Sequence, residues 1–336
     1  MQLKRLAVDT SKATFTLHGV DERDQPVLRQ NMTRAQFETF CAKLPATEVV
    51  LEACGSSHHW GRFLQGFGHT VRLIPPQYVK PFVKRGNNDR NDAAAISEAA
   101  SRPDMRFVPV KSAEMQAEAM DLSARDLLVR QRSQLVSAIR GHAAELGIIA
   151  AKGICNVVPL LQKIADSDLP QAGKTMLLQF GKCVEEMDAH IAAIDRRLAV
   201  RHKANSASQR LSGVPGVGPI TALTLVTKID PGQFNSGRHF AAWLGLTPRE
   251  RSTGGRTRLS GISRAGNDRL RQLLVLGATA VISHTKPERK TANPWLLKLL
   301  ERRPRKLAAV ALANKMARIV WAMMTNETAY RRMQPA

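Results

Sequence analysis

The sequence predicts an α/β domain followed by an α-helical remainder, the two joined by long helices. Three observations carry that expectation. Apolar runs of strand length fill residues 3–74, first in succession and then alternating with helical stretches. Glycine and proline become sparse across 113–147 and 160–200, where Leu, Val and Ala recur at helical spacing. Within 211–222, a Gly-Pro-rich turn separates two helical patterns. At 336 residues the chain is long enough for about two domains with ordinary cores. Its texture divides it into an α/β domain (1–110), a helical coiled-coil linker (111–200) and a mainly helical C-terminal domain (201–336).

Residues 3–8 and 13–20 read as strands separated by a Thr-Ser-Lys turn, and 26–32 supplies a third. Thr33 opens a stretch that fits a helix through Leu44. Strands follow at 48–53 and 70–74, with a helix between them starting near Ser57. Residues 88–96, Asn-Asp-Arg-Asn-Asp-Ala-Ala-Ala-Ile, begin another helix. The long helices over 113–147 and 160–200 suit an antiparallel pair or a coiled coil, acting either as a spacer or as a surface for oligomerisation or RNA. After a polar linker at 201–209, the run Leu-Ser-Gly-Val-Pro-Gly-Val-Gly-Pro-Ile-Thr-Ala (211–222) has the helix-hairpin-helix pattern. In that pattern the backbone N–H groups of Gly216 and Gly218 and the following helix N-terminus can hold a phosphate. A plain glycine-rich turn between helices is the other reading.

Charge narrows the class of partner. The net charge is +22, unevenly spread: 15 Lys/Arg against 11 Asp/Glu in residues 1–110 (+4), 11 against 11 in 111–200 (0), and 24 against 6 in 201–336 (+18). A polyanion accounts for such an excess, because Lys and Arg that neutralise phosphates gain free energy from counterion release. A basic membrane-surface protein is the alternative, without an amphipathic anchor to support it. No run approaches the roughly 18 apolar residues of a spanning helix, and Met-Gln-Leu-Lys-Arg at the start lacks a signal-peptide core. The expected location is cytoplasmic and nucleoid-associated. Cys41, Cys54, Cys155 and Cys183 form no C-x-x-C pair, and His58-His59 near Cys54 lacks zinc-site spacing, so reduced and mostly buried thiols are expected.

Two constellations carry chemistry. Asp89 and Asp92 lie three residues apart at a helix start and point the same way. Asp9 ends the run Leu-Ala-Val-Asp and Glu52 closes Val-Val-Leu-Glu. An acid ending an apolar strand is costly unless paired or metal-bound, so the four together suit a divalent metal at a phosphate site. Asp89 and Asp92 alone also suit helix capping. The second constellation is residues 249–271, where seven arginines surround small residues. Arg249, Arg251, Arg256, Arg258 and Arg264 can fork onto phosphates, and Ser252, Thr253 and Ser263 sit among them. A serine beside guanidinium groups has what attack on phosphorus requires, although a basic phosphate-binding loop with incidental serines has the same composition.

Several long motifs in one register, from about residue 3 to residue 325, give a family resemblance. They are Val-Asp-Thr-Ser-Lys (8–12), Leu-Glu-Ala-Cys-Gly-Ser-Ser-His-His-Trp (51–60), Val-Arg-Leu-Ile-Pro-Pro-Gln-Tyr-Val-Lys-Pro-Phe-Val-Lys (71–84) and Asn-Asp-Arg-Asn-Asp-Ala (88–93) in the first half. In the second half they are Pro-Gly-Val-Gly-Pro-Ile-Thr-Ala (215–222), Leu-Gly-Leu-Thr-Pro-Arg-Glu (244–250), Ser-Thr-Gly-Gly (252–255) and Gly-Ile-Ser-Arg-Ala-Gly-Asn (261–267). The chain resembles the DEDD transposases of bacterial insertion sequences, the family described as bridge-RNA-guided serine recombinases.

The resemblance implies an RNase H-like (RuvC-like) N-terminal domain, a coiled coil and a C-terminal transposase domain, assembled on DNA as a tetramer, a dimer of dimers. It implies Mg²⁺ on Asp9, Glu52, Asp89 and Asp92, and Ser252 of the Ser-x-Gly motif as nucleophile. It further implies a covalent phosphoserine intermediate with release of a 3′-hydroxyl, the metal site of another protomer completing the active centre. A structured non-coding RNA would pair with donor and target DNA and supply the sequence choice. Departures are small: Asn87 stands where a basic residue is common, and Thr253 where a second serine is common. Two rival functions remain, a metal-dependent nuclease or junction resolvase without a covalent intermediate, and a non-catalytic nucleic-acid scaffold.

Overall fold

The computed structural model describes residues 3–84, 88–285 and 293–331, so Asn87 lies outside the described residues. The chain divides into two compact units, Met1–Ala117 and Glu118–Ala336.

The first unit is built on a five-stranded mixed sheet. Its elements in chain order are β1 (Arg5–Thr10), β2 (Thr14–Val20), β3 (Pro26–Thr33), α1 (Arg34–Lys43), β4 (Glu48–Glu52), α2 (Ser57–Gly66), β5 (Thr70–Ile74), α3 (Pro76–Val79) and α4 (Asp89–Ala100). The sheet order is β3-β2-β1-β4-β5. The first three strands pair antiparallel, while β1 with β4 and β4 with β5 are parallel. β1 is central and its first four residues are buried, which is why Arg-Leu-Ala-Val reads as a nearly continuous apolar run. Thr33 closes a capping box with Gln36, which sets the boundary between β3 and α1.

Strand alternation sorts the core into two layers. Leu6, Val8, Phe15, Leu17, Val49 and Leu51 join Phe37 of α1 and Trp60 and Leu64 of α2 in one cluster. The Phe15, Phe37 and Trp60 rings lie 4.8–5.4 Å apart between centroids, as one stacked and two edge-on pairs. Each such pair stabilises by about 0.5–1.5 kcal/mol beyond its area. Ala7, Val50 and Ile74 point the other way, against Ala95, Ile96 and Ala99 of α4. Asp9 and Glu52 are each two residues beyond Ala7 and Val50 and therefore share the face that α4 covers.

The second unit begins within α5 (Ala113–Glu145), followed by α6 (Val157–Ala165) and α7 (Gln171–Ala204). The continuous helix expected over 160–200 is interrupted: α6 stops at Ala165, and Pro170, which cannot extend a helix from behind, becomes the N-cap of α7. α5 and α7 run antiparallel, joined by the ion pairs Glu118–Arg201 (2.7 Å), Asp121–Arg197 (2.6 Å), Arg125–Asp195 (2.5 Å) and Arg132–Asp188. Val136, Ile139 and Ala143 of α5 pack with Leu160 and Ile164 of α6 and Leu177 and Val184 of α7.

The rest is mainly helical: α8 (Ser206–Ser212), α9 (Pro219–Lys228), α10 (Gly237–Trp243), the short strands β6 (Pro248–Glu250) and β7 (Leu259–Ile262), α11 (Asp268–His284), α12 (Pro294–Arg302) and α13 (Arg305–Asn326). Their core centres on α11 and α13, with Leu270, Leu274, Ala278, Ala313, Met316, Ala317 and Val320 fully or nearly buried. Contrary to the sequence expectation, α13 is long and apolar enough by length and composition to cross a membrane. Ala308, Ala309, Ala313, Ala317 and Val320 are instead core residues, which accounts for the composition.

Candidate functional site

Asp9 leaves the C-terminal end of β1 and Glu52 that of the adjacent parallel β4, one step past the pair Val8↔Leu51. α4 packs across this face and begins with Asp89 and Asp92 in its first turn. Its N-cap is Asn88, whose side chain accepts the Asn91 N–H at 2.9 Å. With Asn88 as the cap, Asp89 and Asp92 are not the capping side chains, although both remain in the first turn, where the helix dipole favours acids. Carboxylate oxygens of Asp9, Asp89 and Asp92 all lie within 4.8 Å of one another. Glu52 stands outside that triplet but close enough for Asp9 and Asp92 to act on its charge.

The electrostatics are those of neighbouring half-buried acids that repel one another. Burial, then Asp92 and Asp89, push the Asp9 carboxyl above the ordinary carboxylate range, against a lowering hydrogen bond from the Thr10 backbone. Burial, then Asp9 and Asp92, push Glu52 up. Among the described residues none of the four forms a salt bridge, whereas Glu48 nearby is held by Arg5 and Arg72 at 2.9 Å each. An all-carboxylate donor set fits a hard divalent cation, and half-buried carboxylates that repel one another are what such a cation would neutralise.

His58 and His59 do not join this group. The His58 Nδ1 accepts the Lys111 N–H at 3.2 Å, and His59 packs edge-on against Trp60. Of the four cysteines only Cys41 is buried, with burial pushing its thiol up to about 12; Cys183 is half-buried and Cys54 and Cys155 are exposed, against the sequence expectation. Cys54 touches Thr10 Oγ1 at 3.3 Å.

Ser252 sits on a β-hairpin. Glu250 pairs with Leu259, the Arg251 N–H donates to the Arg258 carbonyl at 2.9 Å, and Thr253 and Arg256 exchange backbone bonds of 3.3 and 3.0 Å. Between them Gly254 and Gly255 have φ of +55° and +74°, the backbone a two-residue hairpin turn with both central residues left-handed requires. Residues 248–261 are exposed throughout, Arg249, Arg251, Arg256 and Arg258 included, as is Arg264. The Ser252 hydroxyl donates to Glu250 Oε1 at 2.6 Å and accepts the Arg258 N–H at 3.3 Å. Ser263 Oγ instead accepts the Ala265 N–H at 3.5 Å.

The base of the hairpin is held by Arg271, which the sequence reading passed over. This side chain is nearly buried and donates to the carbonyls of Leu244 (2.9 Å) and Ala265 (2.6 Å), and it pairs with Asp268. Backbone bonds from Ser263 to Thr247 and from Arg264 to Gly245 complete the closure, with Arg264 at φ +57°.

Gly216 has φ +87°, and a Cβ there would lie 2.7 Å from the Gly277 carbonyl oxygen. Packing of this turn on α11 therefore accounts for its glycine. Around Gly218 there is open space, and α9 starts immediately after it.

The sequence profile described as Transposase matches residues 6–147, and that described as Transposase IS116/IS110/IS902 family matches residues 208–293. A Sinorhizobium fredii protein named as transposase y4pF/y4sB is 49% identical over 336 residues, covering 99% of this chain and 87% of its own length. The chain belongs to the IS110 family of insertion-sequence transposases. Two further relatives of this transposase are a Pseudomonas aeruginosa protein named as a family 20 transposase, 44% identical with 98% of this chain and 99% of the relative covered, and the transposase for insertion sequence element IS1111A of Coxiella burnetii, 40% identical with 98% and 92% covered. The first profile spans all four acids and the second spans the serine hairpin.

Proposed function

We propose that this transposase is a site-specific DNA recombinase in which Ser252 attacks a DNA phosphate, with Asp9, Glu52, Asp89 and Asp92 as a Mg²⁺ site. The observation that carries the reading is the serine hairpin, an exposed hydroxyl among exposed arginines, next to a carboxylate that takes its hydrogen bond. Arg249, Arg251, Arg256, Arg258 and Arg264 bind and orient the phosphate, and their guanidinium groups offset the charge that builds on its oxygens. Ser252 Oγ is the nucleophile rather than Ser263, whose Oγ caps a turn. The hydroxyl forms a phosphoserine and releases a 3′-hydroxyl, and reversal on the partner strand reseals the DNA. Mg²⁺ on the four acids would supply positive charge against phosphate oxygens.

The sheet order β3-β2-β1-β4-β5 with acids at the ends of β1 and β4 supports an RNase H-like assignment for residues 1–110, with 111–200 as the helical linker and 201–336 as the transposase domain. The turn between α8 and α9 serves in this reading as a helix-hairpin-helix phosphate contact through Gly218 and, more weakly, Gly216. The excess of +18 in residues 201–336 suits DNA and a structured non-coding guide RNA as partners, with base pairing choosing the sequence and a dimer of dimers assembling on both DNAs.

The test is a denaturing gel of the purified protein with its co-expressed RNA, Mg²⁺ and labelled DNA carrying the element's junction and target. Wild type is expected to give a covalent protein–DNA band that Ser252→Ala and Asp92→Asn both lose. Cleavage that persists in Ser252→Ala without an adduct would make the chain a metal-dependent nuclease instead.

A further inference from the structure

Glu250 and Ser252 are two residues apart at the end of one strand, so their side chains leave the same face of the hairpin. Their relative position is fixed by backbone pairing on both sides: Glu250 against Leu259, Arg251 against Arg258, Thr253 against Arg256. The resulting contact is short, 2.6 Å from Ser252 Oγ to Glu250 Oε1, with the hydroxyl donating. A second bond, from the Arg258 backbone N–H at 3.3 Å, falls on the same oxygen. Although arginines crowd this stretch, Glu250 forms no salt bridge among the described residues, and the serine is its hydrogen-bond partner. Among the described residues neither Thr253 nor Ser263 has a carboxylate so placed.

We propose that Glu250 is the general base that takes the proton from Ser252, an assignment that rests on the serine reading above. A base must lie within about 2.6–3.2 Å of the oxygen it deprotonates, and this one does. In the forward step Oγ forms a bond to phosphorus as its proton passes to Glu250 Oε1. The phosphorus–O3′ bond breaks, and O3′ leaves with a proton taken from water. In the rejoining step O3′ gives its proton back to water as it attacks the phosphoserine, the Oγ–phosphorus bond breaks, and the protonated Glu250 returns its proton to Oγ. The Arg258 N–H lies against the oxygen throughout, where it steadies the negative charge Oγ carries on entering and leaving. The arginine-rich hairpin thus combines phosphate recognition with a base carried on the same strand as its nucleophile.

The experiment uses the full-length protein with the RNA encoded by the element, bound to labelled junction DNA at protein concentrations that a gel-shift titration has shown to be saturating for each variant. The single-turnover rate of the denaturation-stable adduct is then followed. Glu250→Gln, which keeps shape and hydrogen bonding but cannot take the proton, is expected to slow adduct formation by about 100-fold or more with DNA binding retained. Glu250→Ala is expected to be equally slow and to regain rate on addition of formate, a small carboxylate that can occupy the vacated space. A structural role would not respond to formate. Wild-type rates in Glu250→Gln, or a slow Glu250→Ala that formate leaves unchanged, would overturn the base assignment while Ser252→Ala stays inactive and the serine reading stands. An adduct formed by Ser252→Ala would remove the serine reading and this proposal together.

Discussion

Replacing Asp92 by Asn separates a metal site from a merely acidic surface. Each pair among Asp9, Asp89 and Asp92 has carboxylate oxygens no more than 4.8 Å apart. Two unit charges at that distance repel by about 1 kcal/mol in water and about 3.5 kcal/mol at an effective dielectric of 20. Asp89 is exposed, and Asp9 and Asp92 are half-buried, so about 1–2 kcal/mol per pair is the appropriate range. Asp92→Asn removes two such repulsions. Against that stands the loss of a carboxylate from the first turn of α4, worth about 0.3–1 kcal/mol. Repulsion wins, and the metal-free variant is expected to be about 1–4 kcal/mol more stable than wild type at neutral pH, several degrees in Tm.

The pH dependence has a definite sign. Asp9 and Glu52 keep their protons to higher pH in the folded chain than in the unfolded one. Over that interval the folded state binds more protons, so wild-type stability falls as pH rises from the ordinary carboxylate range through the raised values. Mg²⁺ that binds the folded acids stabilises wild type in proportion to the logarithm of its concentration over Kd, and Asp92→Asn is expected to lose most of that gain. Scanning calorimetry in chelator and in millimolar Mg²⁺ measures both effects. A variant less stable than wild type without metal, yet raised equally by Mg²⁺, would refute the cation site.

Other substitutions test the second unit. In Gly277→Ala the new Cβ would collide with the Gly216 carbonyl oxygen, so overpacking of about 1–3 kcal/mol or more outweighs the roughly 1 kcal/mol gained from helix propensity. A lowered Tm is expected. Gly218→Ala, with open space and φ −83°, is expected to leave Tm nearly unchanged, and weaker DNA binding in a filter assay would place a phosphate at that turn. Arg271→Met leaves the Leu244 and Ala265 carbonyls without their donor, at about 1–3 kcal/mol for each group left unsatisfied. Urea unfolding should show the loss, and proteolysis should cut the hairpin faster. Ser252→Ala, at an exposed position, should unfold as wild type does in the same assay.

Much of the first unit was legible because its physics is local. The runs Leu-Ala-Val-Asp and Val-Val-Leu-Glu could be read as strands ending in acids, and parallel pairing of β1 with β4 was all that remained to bring Asp9 beside Glu52. Asn88 stood in view as the natural N-cap, yet the acids after it drew the capping alternative. The hairpin around Ser252 was hidden because it is exposed along its whole length and so shows no alternation of apolar and polar residues; only Gly254-Gly255 marked the turn. Glu250 could have been found from its two-residue offset once a strand was assumed. Arg271 could not, since the groups it closes together are backbone carbonyls, one of them 27 residues away. The glycine at 216 likewise answers to Gly277 on another helix, a contact no local pattern encodes.

The paired helices α5 and α7 have a further consequence. Arg125, Arg132, Arg197 and Arg201 each face an acid of the opposite helix. Guanidinium groups already engaged in this way release no counterions when DNA comes near, and segment 111–200 has no net charge to attract it. The pair therefore behaves as an insulated strut: nucleic acid gains little by lying along it and is left to the strongly basic residues that follow. Adding salt would loosen those basic contacts and the ladder together, so the ionic strength that frees the DNA would also slacken the strut.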